Sequence, residues 1–220
     1  MKILSLSDKI VSFIYSPIVK RRFPDVDLVI GCGDLSYYYL EYVMNALDVP
    51  LYFVRGNHDV LAEYDHGIMR TAPQGGTDLH RRNTQYKGLL LAGVEGSLRY
   101  RPGRFQYSQS DMWGHVFNLI PGLLVNRATQ GRYLDMFVTH APAEGIHDRP
   151  DLPHQGIKAF RWFLNVFKPS YYIHGHIHIY SPDTTTETRA GDTIVINTYG
   201  FKETVLGPAG VKSNDDRSTR

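Results

Sequence analysis

The sequence is short of several things. It holds one cysteine, Cys32, among 220 residues, so no internal disulfide can form, and a lone thiol fits a reducing compartment. No apolar run approaches the ~18–20 residues that a spanning helix needs. The opening Met1-Lys2-Ile3-Leu4-Ser5-Leu6-Ser7-Asp8 is too short for a signal peptide, and an acid interrupts it. These absences predict a cytoplasmic protein without a membrane partner. An excess of one charge is lacking as well: 24 Lys and Arg face 22 Asp and Glu, a formal net charge of +2. That is too small to favour long nucleic acid, although Arg99 to Arg104 form a local basic strip. There is no repeat and no low-complexity tract. What remains, 42% hydrophobic and 21% charged residues, fits a soluble chain with a sizeable core. It predicts one domain over residues 1–211 and a disordered polar tail over 212–220.

Histidine is concentrated in one place. Three of the ten fall within Tyr171-Tyr172-Ile173-His174-Gly175-His176-Ile177-His178-Ile179-Tyr180. An apolar, β-prone run leads into them, and Gly175 permits a turn that most residues cannot make. Imidazoles this close together point to a metal site.

Upstream, short apolar runs alternate with helical patterns. Strands are predicted at 3–6, 26–30, 51–54, 89–94 and 134–138, then at the histidine stretch. A helix is predicted from Pro17 to Arg22. A second, from Leu35 to Leu47, carries Leu40, Val43, Met44 and Leu47 at helical spacing. A third, capped by Asp111, carries Val116, Leu119 and Ile120, breaks or kinks at Pro121-Gly122 and resumes to about Arg127. A fourth runs from Gly156 to Phe167, with Ile157, Phe160, Leu164 and Phe167 on one face. Residues 60–86 read as an irregular loop and 97–110 as a surface excursion. A closing hairpin is predicted from 184–188 and 193–197, turning at Ala190-Gly191-Asp192. Strands alternating with helices predict an α/β fold whose chemistry gathers at the carboxyl ends of the strands.

Those ends carry Asp8, Asp34, Asn57-His58-Asp59, His140, and His176 with His178. An Asp or Asn after one strand is often only a turn or cap residue. Five such strand ends in one chain argue for a shared site. Oxygen and imidazole donors suit Mn, Fe, Zn, Ni or Co, and paired ions can clamp an in-line phosphoryl displacement.

The order Asp8, Gly33-Asp34, Gly56-Asn57-His58-Asp59, Thr139-His140, Gly175-His176-Ile177-His178 resembles the calcineurin-like metallophosphoesterase family, across residues 3 to about 200. The resemblance implies a four-layer α/β/β/α sandwich binding two divalent metal ions. It implies Asp34 bridging them, Asp8 and His178 on the first, and Asn57, His140 and His176 on the second. A metal-bridging hydroxide would attack the phosphorus of a small phosphoester, diester or monoester. His58 would donate a proton to the leaving oxygen, and Asp59 would orient the His58 imidazole.

One position departs from the family pattern, which usually reads Asp-x-His at the first motif. Here Asp8-Lys9-Ile10 puts a side chain that cannot coordinate in place of that His. This predicts a weaker first site that depends on His178, with Tyr37, Tyr38 or Tyr39 packing beside it. The departure keeps a second reading open, a non-catalytic metal-binding scaffold or interaction module; retention of His58 and Asp59 argues for the hydrolase. Arg55, Arg99 and Arg101 are candidates for gripping phosphate, and Glu95 for facing the site. His174 reads as a support residue, Cys32 as a small buried one. His66, His80, His115, His147 and His154 read as loop or surface residues, with His147 and His154 nearest the mouth.

Overall fold

The structure, a computed structural model, describes residues 1–65, 67–181 and 183–207. The tail expected over 212–220, and His66, lie outside these described residues.

In chain order the strands are β1 (Lys2–Ser7), β2 (Leu28–Cys32), β3 (Leu51–Val54), β4 (Glu63–Asp65), β5 (Ile68–Arg70), β6 (Thr77–Asp78), β7 (Asn83–Tyr86), β8 (Leu89–Val94), β9 (Ser97–Leu98), β10 (Gln106–Tyr107), β11 (Met136–Thr139), β12 (Tyr171–His174), β13 (Glu187–Ala190), β14 (Thr193–Asn197) and β15 (Gly200–Val205). The helices are α1 (Ile18–Arg22), α2 (Tyr37–Leu47), α3 (Gln109–Gln130) and α4 (Lys158–Phe167). One sheet runs β15-β1-β2-β3-β6 and the other β13-β14-β12-β11-β8-β7. Within each, a run of strands is parallel: β1, β2, β3 and edge strand β6 in the first, β8, β11, β12 and β14 in the second. Antiparallel β15, β13 and β7 close the edges.

Alternation along the strands sorts side chains into three cores. Ile3, Leu28, Ile30 and Val54 of the first sheet meet Leu91, Met136, Val138 and Ile173 of the second between the sheets. Their neighbours Leu4, Leu6, Val29, Leu51 and Phe53 face Val19 of α1 and Leu40 and Val43 of α2. On the far side Leu90, Ala92, Val94, Phe137 and Tyr172 face Val116 and Leu119 of α3 and Phe160, Phe163 and Leu164 of α4. Period-two strands buried on both faces, each sheet covered by two helices, make the α/β/β/α sandwich that the sequence implied.

Several local expectations give way. The third helix is continuous over 109–130, with Pro121 inside it. Pro121 lies on the exposed face, where helices open toward water and a missing N–H is tolerated best, while Leu119 and Leu123 anchor the helix on either side. Gly122 brings the helix against Asn83, whose amide donates to the Leu119 carbonyl at 3.0 Å. The cap is Ser108, which accepts from the Asp111 N–H and donates its own N–H to the Asp111 carboxylate in return; Asp111 is the other half of that capping box. Residues 60–86 hold the β4–β5 hairpin, β6 and β7 rather than an irregular loop. In 97–110, β9 and β10 pair in parallel and Gln106 is buried. The closing hairpin forms as β13 and β14 around Gly191-Asp192. After it the chain adds β15, whose weak alternation gave no strand signal.

Candidate metal centre

Parallel strands carry their carboxyl ends to one edge of both sheets. Asp8 follows β1, Asp34 follows β2, Asn57 and His58 follow β3, His140 follows β11, and His176 and His178 follow β12. Asp8, Asp34 and His176 take left-handed conformations, with φ of 62°, 56° and 67°. Each such turn costs a non-glycine residue about 1–2 kcal/mol. Backbone strain of this kind collects where side chains must be aimed at one point. The motif glycines serve the same convergence. A Cβ on Gly56 would lie 2.1 Å from Asp34 Oδ1, and one on Gly175 would lie 1.8 Å from Ser7 Oγ and 2.6 Å from Asp8 Oδ2. Gly175→Ala is therefore expected to push Ser7 and Asp8 aside at a cost of about 1–3 kcal/mol. A urea midpoint equal to that of the unaltered protein would contradict this close packing.

Four donor atoms meet at the centre. His140 Nε2 lies 3.0 Å from Asn57 Oδ1, 3.1 Å from His176 Nδ1 and 3.4 Å from Asp34 Oδ2. The outer ring nitrogens assign the tautomers. His140 Nδ1 donates to the Cys32 carbonyl at 2.7 Å, and His176 Nε2 to the Pro153 carbonyl at 2.7 Å. Both inner nitrogens then offer lone pairs, and so do the carboxylate and amide oxygens. The Asn57 amide nitrogen is turned outward, to the Tyr100 hydroxyl at 3.3 Å. A buried group of proton-free donors repels itself unless a cation stands among them. Asp34, His140 and His176 are the one His/Cys/Asp/Glu cluster with metal-binding spacing among the described residues, their ligand atoms within 4.8 Å of one another. The donor set fits a divalent metal, with carbonyls behind both imidazoles fixing the rings.

The electrostatics point the same way. Burial opposes charge on His140, yet the Asp34 carboxylate and, farther off, Asp8 carry its pKa up to about 10. Burial and then His140 press His176 down to about 4. Burial works against ionised Asp34, but His140 and the His58 N–H bring it down to about 2. The pocket calls for one positive charge, and a proton on His140 Nε2 supplies it.

The first position is looser. Asp8 Oδ2 accepts from the Ser7 hydroxyl and from the His176 N–H at 2.9 Å. Its Oδ1 is buried without a hydrogen-bond partner, facing His178 Nε2 at 3.7 Å. An orphaned buried carboxylate oxygen fits a cation beside it. His178 Nδ1 pairs with the Tyr180 hydroxyl at 3.1 Å, and Asp8 holds the His178 pKa above the ordinary range. Ile10 is 45% exposed and offers no donor. The tyrosines do not replace it. Tyr37 donates to the Val60 carbonyl at 2.5 Å, Tyr39 accepts from the Val11 N–H at 3.4 Å, and Tyr38 stands beside Tyr15.

His58 is exposed, and its backbone N–H donates to Asp34 Oδ1 at 2.8 Å, which sets it on the rim. Asp59 departs from its expected role. Its oxygens accept the N–H groups of Leu35 at 3.1 Å and Gly56 at 2.7 Å. It ties the β2 and β3 loops together instead of orienting the imidazole, because two backbone donors of converging loops need an acceptor there. Burial and Asp34 push its pKa up to about 7.

Arg55 does not reach for phosphate. It pairs with Asp78, lies 3.5 Å from Glu95 Oε2, and donates to the Tyr37 hydroxyl and the Thr71 carbonyl. Glu95 is buried in that same network, accepting from Tyr107 at 2.7 Å with His80 nearby. Arg99 leans toward Asp111 at 3.8 Å, and Arg101 stacks on Tyr100. His80 and His115 are packed together rather than on the surface, their ring centroids 4.8 Å apart. His174 Nδ1 donates to the Gly175 carbonyl, so its Nε2 accepts from His147 Nδ1 at 3.0 Å, and His147 Nε2 accepts from Thr188. This chain ties edge strand β13 to the histidine turn. Burial and then His147 lower the His174 pKa to about 3. The His154 ring lies 5.4 Å from that of His176. Cys32 is buried; its carbonyl, not its thiol, serves the site. Sequence reasoning missed Ser7, Tyr100 and the Pro153 carbonyl. Of these only Ser7, next to Asp8, left any local signal.

The calcineurin-like phosphoesterase model matches residues 6–180. No curated protein matches the chain. Among solved structures, TT1561 of Thermus thermophilus superposes with TM-score 0.57 at 15% identity, covering 90% of this chain and 89% of its own. GAP50, the anchor in the inner membrane complex of Plasmodium, gives 0.48 at 13% identity, covering 90% and 70%. A Vps29 single mutant from Entamoeba histolytica gives 0.43 at 12%, covering 91% and 74%. With the family model spanning the stretch from β1 to the histidine turn, on a two-sheet sandwich with its donors at the strand ends, the chain belongs to the calcineurin-like phosphoesterase family.

Proposed function

We propose that the protein hydrolyses a small phosphoester at a pair of divalent metal ions. The observation that carries this reading is the convergence of Asp34 Oδ2, Asn57 Oδ1, His140 Nε2 and His176 Nδ1 on one point, with the outer nitrogens of both imidazoles turned to backbone carbonyls. Mn, Fe, Zn, Ni and Co suit this oxygen and imidazole set. Such ions, when bound, neutralise phosphoryl oxygens and lower the pKa of a water that becomes the nucleophile. The chain's own residues do the rest. Asn57, His140 and His176 would hold the second ion, Asp8 and His178 the first, with Asp34 placed to contribute to both. With Ile10 in the place of a donor, the first position binds more weakly. His58, on the rim and tied through its N–H to Asp34, gives its proton to the leaving oxygen. Asp59 keeps the His58 loop against the Asp34 loop.

Purified protein supplied with Mn should turn over an aryl phosphodiester or an aryl monoester. His58→Ala should lower that rate on the order of 10²-fold, the low end for an acid that no neighbour orients, with bound metal unchanged. An equal rate in the variant removes His58 from the chemistry. The exposed Ile10 favours a second reading, a module that holds metal without catalysis. Full metal content with no turnover of either ester under several metals would establish it.

A further inference from the structure

One concentration of positive charge stands directly beside the metal centre. The loop Arg99-Tyr100-Arg101-Pro102-Gly103-Arg104 holds three arginines and no acid, in a chain whose net charge is only +2. Tyr100 ties this loop to the donors. Its hydroxyl accepts the Asn57 amide N–H at 3.3 Å, while the other end of that amide faces His140 Nε2 at 3.0 Å. The loop is therefore separated from the donor cluster by the width of one amide group. Residues 99–103 line an open groove of about 590 Å³, so Tyr100 belongs to the groove and touches the centre at once.

A run of charge on a loop is most often a solvated face. This one is built. The buried Gln106 lies beneath it, and its side-chain oxygen accepts the N–H groups of Tyr100 at 3.3 Å and Arg101 at 3.4 Å. A Cβ on Gly103 would lie 2.5 Å from Gln106 Nε2, so the turn closes directly over that amide. The Arg99 N–H donates to the Tyr107 carbonyl at 3.0 Å, and Arg99 Nε to the Gln106 carbonyl at 3.3 Å. A charge that only meets water needs no such cradle; a charge presented at a fixed place does.

The guanidinium groups are largely unspent. Arg101 lies over the Tyr100 ring, 5.3 Å from its centroid, and pairs with no carboxylate among the described residues. Arg99 stands 3.8 Å from Asp111, each about half exposed, a pairing that contributes little. Two such groups on a preorganised loop suit an oxyanion, since the planar fork matches two phosphate oxygens. The phosphoryl group to be cleaved belongs at the donor cluster, across the Asn57 amide. An anion in the groove is then a second one.

We propose that the groove of Arg99, Tyr100 and Arg101 binds a second phosphate carried by the same substrate, a small molecule with two phosphates rather than a lone phosphoester. This rests on the hydrolase reading and names the class of its substrate.

Full-length protein loaded with Mn is titrated by calorimetry with butylphosphonate and with propane-, butane- and hexane-α,ω-diyl bisphosphonates. None of these can be hydrolysed, and the spacers cover a range of separations. At least one bisphosphonate should bind on the order of 10-fold more tightly than butylphosphonate, the effect of charge-assisted hydrogen bonds from partly exposed arginines. In Arg99→Gln/Arg101→Gln the ratio should fall to about 2-fold, the advantage of having two equivalent ends. The readout is a ratio, so loss of metal or of folded protein lowers both affinities and does not imitate this result. A preference unchanged in the double variant overturns the groove, as does equal affinity for all four ligands. A bisphosphonate preference without turnover of butyl phosphate or any of the matching bisphosphates, under several metals, overturns the hydrolase reading and keeps the groove. Binding of a short single-stranded oligonucleotide that the double variant abolishes, with no preference for bisphosphonates, overturns the proposal in favour of a nucleic-acid backbone.

Discussion

On the hydrolase reading proposed above, Asp34→Ala is expected to leave the purified protein without bound divalent ions and to take phosphoester turnover to background. Asp34 stands where the two donor sets meet. Its Oδ2 is 3.4 Å from His140 Nε2, and its Oδ1 receives the His58 N–H. Losing the ions removes both the nucleophile and the neutralisation of phosphoryl charge. Several kcal/mol of barrier then return, on the order of 10⁴-fold in rate. The metal-free variant carries a second signature. In the unaltered protein Asp34 is the main group lifting His140 to a pKa of about 10 against the pull of burial. Without that carboxylate the buried imidazole should be neutral at pH 7.5, as read from its ring proton shifts. Asp34→Asn, which keeps an acceptor for His58 N–H, separates loss of charge from loss of the loop. A variant that still binds two ions per chain would show that Asp34 is not shared.

Metal affinity at the second position will rise about tenfold for each pH unit between 7 and 9. The reason is His140. Its raised pKa means that metal-free protein carries a proton on Nε2 in this range, and an ion can bind only by expelling it. The slope should flatten as pH approaches 10, the point at which the proton leaves unaided. Calorimetry in buffers of different ionisation enthalpy should count one proton released per ion. An affinity that does not change from pH 7 to 9 would mean that His140 is already neutral. The same shift has a stability consequence in chelated protein. A histidine whose folded pKa is raised stabilises fully below its unfolded value of about 6.5, and the contribution is lost as pH climbs through about 10.

Much of the site was legible before any coordinates. Asp8, Asp34, Asn57, His140, His176 and His178 could be found because each follows a short β-prone run, and parallel strands send their ends to one edge. Short apolar runs likewise announced the central strands, which are buried at every position. What was not legible came from contacts distant in sequence. Asp59 looked like the partner of the next-door His58, but its oxygens answer the N–H groups of Leu35 and Gly56. Arg55 looked like a phosphate grip, but Asp78, Glu95, Tyr37 and Thr71 surround it. Pro121 looked like a break, yet its place on the exposed side of α3 makes it tolerable. Local pattern carries propensity and spacing; it carries no information about which distant backbone donor needs an acceptor.

The histidine turn shows where the division falls. Residue order was enough to say that His174, His176 and His178 gather at the end of a strand and that Ile10 supplies no ligand, since side-chain chemistry and spacing are local facts; the turn expected of Gly175 is made by left-handed His176, and Gly175 is required because a Cβ there would strike the distant Ser7 and Asp8. How the three histidines differ emerges from folding. His176 turns inward because the Pro153 carbonyl takes its outer proton. His178 faces Asp8 from the solvent side. His174 points away, to His147, which in turn pairs with Thr188. The carbonyl, carboxylate and imidazole that sort them come from residues far along the chain, and only the packed sheets bring these within hydrogen-bonding reach.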